Sequence, residues 1–288
     1  MSAVSGWLTR DQREAFARDG FLIVPGFFQR ERDLLPVQRA IHRICWLVAR
    51  TRGLAIDQPP FDAADFDAGY RLLIAQDRSA GGVVYDAVKQ IPAFLRLVSD
   101  PRLEAIFREL RPGATVGVAA GGSGIRIDNP GEDRFRADWH QEYPAQLRSL
   151  DGLVFWSSLV PLTEEMGPVR FCVGSHRDGL VPVHPVNPDA VDKTGAYGLT
   201  LADRDARIAR YDQRSPLPCL GDLVIIDFLT LHCSGHNRSG RARWSMQVRY
   251  FNFEDPTGMQ MDWQGSFAAG KDFRVVHPEL VARPDHRS

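Results

Sequence analysis

The sequence predicts an α+β protein with a double-stranded β-helix (jelly-roll) core and flanking N-terminal helices. Three observations carry that expectation. Apolar residues in the first third recur at helical spacing. From Pro112-Gly113 onward, short β-type runs alternate with Gly/Pro turns. No strand–helix–strand alternation follows that would build a parallel sheet. A jelly roll also brings a strand near residue 140 beside one near 232. At 288 residues one domain is expected, with a helical part at 1–111, the jelly-roll core at 112–253 and a C-terminal tail at 254–288.

Each element has a local reason. Thr9-Arg10-Asp11-Gln12 reads as a capping box opening a helix that stops at Asp19-Gly20. Residues 21–24 (Phe-Leu-Ile-Val) form a short buried strand ended by Pro25-Gly26. Between 29 and 50, Leu34, Leu35, Val37, Ile41, Ile44 and Leu47 mark one face of an amphipathic helix, in which Pro36 is tolerable only near the start. Residues 63–110 are helical in pieces broken at Gly81-Gly82, Pro92 and Pro101. Strands are expected at 115–120, 124–128, 153–159, 169–173, 223–228 and 243–253. The segment 179–214 interrupts them and is long for a structureless loop. Such insertions are often lids or binding loops, so this one is expected to be the most ligand-sensitive part.

Composition excludes several classes of function. A formal net charge of −1 exerts no overall pull toward nucleic acid or a membrane surface. The longest apolar stretch, 153–162, is too short to span a bilayer and contains Ser157 and Ser158. Cys45, Cys172, Cys219 and Cys233 show no Cys-x-x-Cys spacing and are expected to be reduced and mostly in the core. With no apolar run after a basic N-terminus, a cytoplasmic location is expected.

The chemistry concentrates in two stretches. Trp139-His140-Gln141-Glu142 places an imidazole and a carboxylate two residues apart, and His232 follows the apolar run 223–228. On a strand, residues i and i+2 share a face, so His140 and Glu142 would point at one metal while Gln141 points away. Two histidines and one carboxylate with open positions make the facial triad of a non-heme Fe(II) oxygenase. Alone, a His-x-Glu pair is weak evidence, and a lone histidine after a strand is more often a core residue. Together the two halves point to iron. Arg243 lies eleven positions after His232 and is followed by Ser245 in an otherwise apolar strand. A buried arginine needs an anionic partner, and its planar fork suits a carboxylate. A dicarboxylic cosubstrate such as 2-oxoglutarate supplies one.

Over roughly residues 10–252 the chain resembles the phytanoyl-CoA dioxygenase family of Fe(II)/2-oxoglutarate oxygenases. The likeness rests on four features: 16–28 with Asp19-Gly20-Phe21, Trp139-His140-Gln141-Glu142, Gly167-Pro168-Val169 with Val173-Gly174-Ser175-His176-Arg177, and the block His232, Ser234, Asn237, Ser239, Arg243. The resemblance implies Fe(II) on His140, Glu142 and His232, with 2-oxoglutarate and O2 as cosubstrates. It implies Arg243 at the far carboxylate of 2-oxoglutarate, with Ser234 and Trp156 around it; Ser245, two residues on from Arg243, is a further cofactor-binding candidate. Glu142 stands where the family usually has Asp, and Met166 and Cys172-Val173 replace commoner residues beside the glycine turns. A carboxylate at 142 also separates the chain from the halogenating branch, in which a small residue there leaves room for chloride. Hydroxylation of an unactivated C–H bond of a small molecule, with release of succinate and CO2, is therefore expected, with desaturation, ring closure or epimerisation as the other C–H oxidations left open.

For the substrate, Arg126 is the best candidate among the arginines near the first motif (Arg126, Arg134, Arg136, Arg148), and it would greet an anionic group. Gln247 shares the expected face of Arg243 and Ser245, and Gln141 sits between the first two ligands. His176 and His236 are expected as hydrogen-bonding histidines. Two rivals stand beside the oxygenase. One is a cupin-type metal enzyme without 2-oxoglutarate, which would usually show His-x-His, absent from this sequence. The other is a non-catalytic jelly-roll binding protein, for which an intact triad plus Arg243 has no evident use.

Overall fold

The computed structural model describes residues 6–119, 121–184, 199–265 and 272–282. Thr9 caps helix α1 (Arg10–Asp19) with the expected box, its hydroxyl accepting from the Gln12 amide. Gly20 ends the helix at φ 80°. A Cβ there would overlap the side chains of His176 and Thr230, so glycine serves both the turn and the close approach. Strand β1 (Phe21–Val24) follows. A π-helical turn (Arg30–Leu34) leads into α2 (Leu35–Thr51), where Pro36 lies in the first turn as its missing N–H requires. Helices α3 (Ala68–Gln76), α4 (Ala80–Val88), α5 (Pro92–Val98) and α6 (Pro101–Leu110) complete the helical part.

The strands come next: β2 (Val116–Val118), β3 (Gly124–Asp128), then after the short helix α7 (Tyr143–Gln146), β4 (Gly152–Ser158), β5 (Val169–Cys172), β6 (Val183–His184), β7 (Thr200–Leu201), helix α8 (Arg204–Ile208), β8 (Gln213–Arg214), β9 (Leu223–Asp227), β10 (His232–Ser234) and β11 (Arg243–Asn252). Among the described residues the larger sheet runs β1-β9-β4-β11-β2, with β3 also paired to β11, and the smaller runs β10-β5-β8. Every pair in these two sheets is antiparallel. This is the double-stranded β-helix. The N-terminal part contributes β1 to it, so helical and β portions share one sheet. Of the long segment 179–214, residues 185–198 lie outside the described residues, and so does the expected ligand sensitivity of that stretch. Its flanks form β6, β7, α8 and β8. The tail turns back as α9 (Pro256–Gln260) and α10 (Phe273–Val276), with Phe273 buried.

Strand alternation sorts the larger sheet into two faces. Leu153 and Phe155 of β4, Leu223 and Ile225 of β9, and Trp244, Met246, Val248 and Tyr250 of β11 pack against α2–α6. Val154, Trp156, Val224 and Ile226 face the other way, toward Phe171, Cys172, Leu231 and Cys233 of the smaller sheet and its approach. Because the even-numbered residues of β11 serve the helices, Arg243, Ser245, Gln247 and Arg249 face the interior between the sheets. Cys45, Cys172 and Cys233 are buried, Cys219 is exposed, and all four are free thiols. Among the described residues no helix is long and apolar enough to cross a membrane.

Candidate metal centre

The two histidines are brought together by backbone, not by side chains. His140 and His232 form an isolated antiparallel bridge in which each amide donates to the other's carbonyl at 3.0 Å. Their rings lie 4.3 Å apart, centroid to centroid. Each Nδ1 donates to a carbonyl two residues upstream, His140 to Asp138 at 2.7 Å and His232 to Thr230 at 2.9 Å. That fixes the tautomer and leaves each Nε2 lone pair pointing inward.

Glu142 reaches the same point by a different route from the one strand periodicity suggests. After Gln141 the chain leaves extended geometry. Glu142 has helical dihedrals (φ −71°, ψ −38°) and immediately precedes α7, with Pro144 in the first turn. Its Oε2 lies 3.9 Å from His140 Nε2 and 3.8 Å from His232 Nε2. Ligating atoms of His140, Glu142 and His232 all fall within 4.8 Å of one another. Burial pushes the His232 imidazolium down to about 3, reinforced by His140, and lowers His140 as well. For Glu142, burial works to raise the carboxyl, but the Arg249 guanidinium and the two imidazoles outweigh it and hold it at about 2. At neutral pH the set is two neutral imidazoles and one carboxylate, the donor chemistry that suits divalent iron.

Gln141 points away from the ligands, as the spacing predicts, and so does not serve as the substrate residue it was a candidate for. Its amide donates to the carbonyls of Gly179 and Leu229 and accepts from the Val181 amide, all at 2.8–3.0 Å. The side chain ties three backbone segments together and does not line the cavity, because the turn after it aims it away from the metal ligands.

Arg243 lies six residues from Arg249 on the inward face of β11 and is only 2% exposed. Its anionic partner is internal. Nη2 donates to Asp128 Oδ2 and to Ser234 Oγ, both at 2.9 Å, and Nη1 donates to the Gly167 carbonyl. The burial of this arginine therefore does not by itself demand an anion from outside. Asp128 also accepts from Arg126 Nη2 at 2.6 Å. Burial favours protonation of Asp128, but Arg126 and Arg243 overcome it and keep the carboxyl well below its usual range. Two cations thus share one aspartate. Arg243 Nε and Ser245 Oγ remain buried without an acceptor. Unpartnered buried donors are costly, and a carboxylate is the ligand chemistry that would satisfy them.

A cavity of about 990 Å³ opens onto the three ligands. Trp156, Val154 and Ile226 form an apolar wall; Ser234, Arg126, Gln247 and Arg249 contribute polar groups. Arg78, Lys89, Arg134 and Arg136 also line it, together with Asp133, Asp138, Tyr85 and Phe135. Lys89 Nζ sits 3.7 Å over the Tyr85 ring. Arg148 lies outside the lining, and so do Arg243 and Ser245, which are buried behind it. His176 hydrogen-bonds the Ala17 carbonyl, and His236 pairs with Asp133 at 2.7 Å; neither approaches the triad.

Three residues at the site escape motif reading. Arg249 Nε donates to Glu142 Oε1 at 2.7 Å, and Gln146 Nε2 donates to the same oxygen at 3.2 Å. Asp128 is the third. Signals existed: Arg249 continues the 243-245-247 alternation, Asp128 shares a face with Arg126, and Gln146 is four residues from Glu142 on a helical turn.

Fold and site together define a double-stranded β-helix with a two-histidine, one-carboxylate centre. The family profile of phytanoyl-CoA dioxygenase (PhyH) matches residues 16–245. The chain belongs to this family of Fe(II)/2-oxoglutarate-dependent oxygenases. Similar solved structures agree in fold. EctD from S. alaskensis with 2-oxoglutarate and 5-hydroxyectoine is 18% identical with a TM-score of 0.58, covering 94% of this chain and 87% of that one. The carbocyclase SnoK from nogalamycin biosynthesis is 16% identical at TM-score 0.55, covering 94% and 98%. The epimerase SnoN, in complex with Fe3+, alpha ketoglutarate and nogalamycin RO, is 18% identical at 0.53, covering 91% of each. No curated protein matches the chain.

Proposed function

We propose that this protein is a hydroxylase that inserts oxygen into an unactivated C–H bond of a small anionic molecule, with Fe(II) held by His140, Glu142 and His232. The observation that carries the reading is the convergence of Glu142 Oε2 on both Nε2 atoms, with each Nδ1 already committed to a carbonyl. When bound, iron and 2-oxoglutarate supply O2 activation coupled to oxidative decarboxylation, giving succinate and CO2. The remaining work belongs to the chain. His140 and His232 offer fixed, neutral nitrogens. Arg243, Ser234 and Ser245 receive the far carboxylate of 2-oxoglutarate, supported by the acceptor-less Arg243 Nε and Ser245 Oγ. Trp156, Val154 and Ile226 keep water from the cosubstrate side of the cavity.

Arg126 and Gln247, which both line the cavity, orient the substrate. Glu142, unlike a small residue, fills the position a halide would need, which favours hydroxylation over halogenation. The protein is further proposed to act as one oxygenase domain in the cytoplasm.

The test is a metabolite screen with Fe(II), 2-oxoglutarate and O2, scoring substrate-dependent succinate together with product mass. Gain of one oxygen supports hydroxylation. Loss of two hydrogens, or an unchanged mass, assigns desaturation, ring closure or epimerisation instead. Anaerobic Fe(II) and 2-oxoglutarate that give no visible chelate band would reject the cofactor assignment altogether.

A further inference from the structure

Glu142 presents its two oxygens to different company. Oε2 faces both imidazoles at 3.8–3.9 Å, whereas Oε1 accepts from Arg249 Nε at 2.7 Å and Gln146 Nε2 at 3.2 Å. The Arg249 guanidinium is itself held, Nη2 by Gln247 Oε1 at 2.7 Å and Nη1 by the Gly122 carbonyl. Its position comes from β11, across the sandwich from the α7 turn that presents Glu142.

Raw metal affinity does not account for such a residue, because a guanidinium beside a cation site repels the cation. A carboxylate ligand has a second option: both of its oxygens can bind one metal. That would consume a coordination position. An oxygenase that must accept a two-toothed 2-oxo acid and O2 beside three protein ligands has none to spare.

We infer that Arg249, assisted by Gln146, is a positioning residue that ties up Oε1 and keeps Glu142 a one-toothed ligand, so that the cosubstrate can chelate. This rests on the proposed metal site and adds a task that site assignment does not give. Arg249 need touch neither substrate nor metal to perform it. The interaction orients a first ligand through its outer partner, which elsewhere is worth about 10–100-fold in metal affinity or activity. Here the effect falls on the cosubstrate instead of the metal.

The experiment titrates wild type, Arg249→Gln, Arg249→Lys and Gln146→Leu anaerobically, first with Co(II) by calorimetry and d–d absorption. A second titration, with Fe(II) and 2-oxoglutarate, follows the chelate band. Arg249→Gln is expected to hold the metal within about threefold of wild type, or tighter, and to bind 2-oxoglutarate at least about tenfold more weakly. Its Co(II) bands should also weaken as the coordination number rises. Gln146→Leu should shift both readouts the same way by a smaller factor.

Arg249→Lys separates orientation from charge. Lysine keeps the charge without the fork, so full recovery of 2-oxoglutarate affinity in that variant would overturn the inference. Metal and cosubstrate affinities falling in parallel, or both unchanged, would overturn it as well. Should Arg249→Gln fail to fold, the lysine and Gln146 variants decide by the same criteria. Wild type that binds neither metal nor 2-oxoglutarate would refute the proposed function itself, a separate outcome.

Discussion

Arg243 and Arg249 leave the same face of β11, and each meets a carboxylate, partly buried in one case and buried in the other. At one end the partner is Glu142, whose other oxygen faces two imidazoles. At the other it is Asp128, which faces a second arginine and nothing that ligates. An ion pair with nearly the same distances, 2.7 and 2.9 Å, therefore serves different ends. Glu142 has an oxygen left over for a metal. Asp128 has its two oxygens committed to two guanidiniums and has none left over for a metal. The surroundings of the carboxylate, more than the arginine, decide whether a site recruits a cation or an anion.

Substitutions can break or sharpen that contrast. The largest effect belongs to the Glu142 end. His140→Ala or His232→Ala should abolish iron-dependent succinate formation, and turnover near the wild-type rate in either variant would move the metal elsewhere. Arg243→Ala should come next. Removing one member of a buried ion pair typically costs about 3–5 kcal/mol, and Arg126 still partners Asp128, so the lower part of that range is expected in denaturant unfolding. The same variant should lose 2-oxoglutarate affinity; unchanged affinity would remove Arg243 from the cosubstrate site.

Asp128→Asn is the smallest and has the opposite sign. Taking a negative charge from between Arg126 and Arg243 should tighten 2-oxoglutarate or succinate binding by about 1 kcal/mol, roughly fivefold. Weaker or unaltered binding would make Asp128 a brace for the guanidiniums and nothing more.

Much of this was legible in the chain. Residues 124–128 read as a strand and are β3, and 243–253 anticipates β11 to within a residue, because β-type runs bounded by Gly and Pro leave little ambiguity. The structure brings His140 and Glu142 together, but by a local geometry other than the expected strand. Period-two spacing put them on one face, whereas the structure turns Glu142 into the first helical residue before α7. The turn matters, since it brings Gln146 back onto Glu142. Asp128 was missed because it carries no motif. Its significance arises only when β3 pairs with β11 and sets Asp128 opposite Arg243. Pairing of that kind joins residues 115 positions apart, which no local window contains.

The reciprocal backbone bonds between His140 and His232 have one more consequence. Nitrogen donors in many small metal domains are gathered by the ion they bind, and such domains collapse when it is removed. Here reciprocal peptide hydrogen bonds set the two imidazoles side by side. A chelator should therefore strip iron from a protein that stays folded and reloads readily, so that the metal can be exchanged for spectroscopic substitutes without refolding the chain.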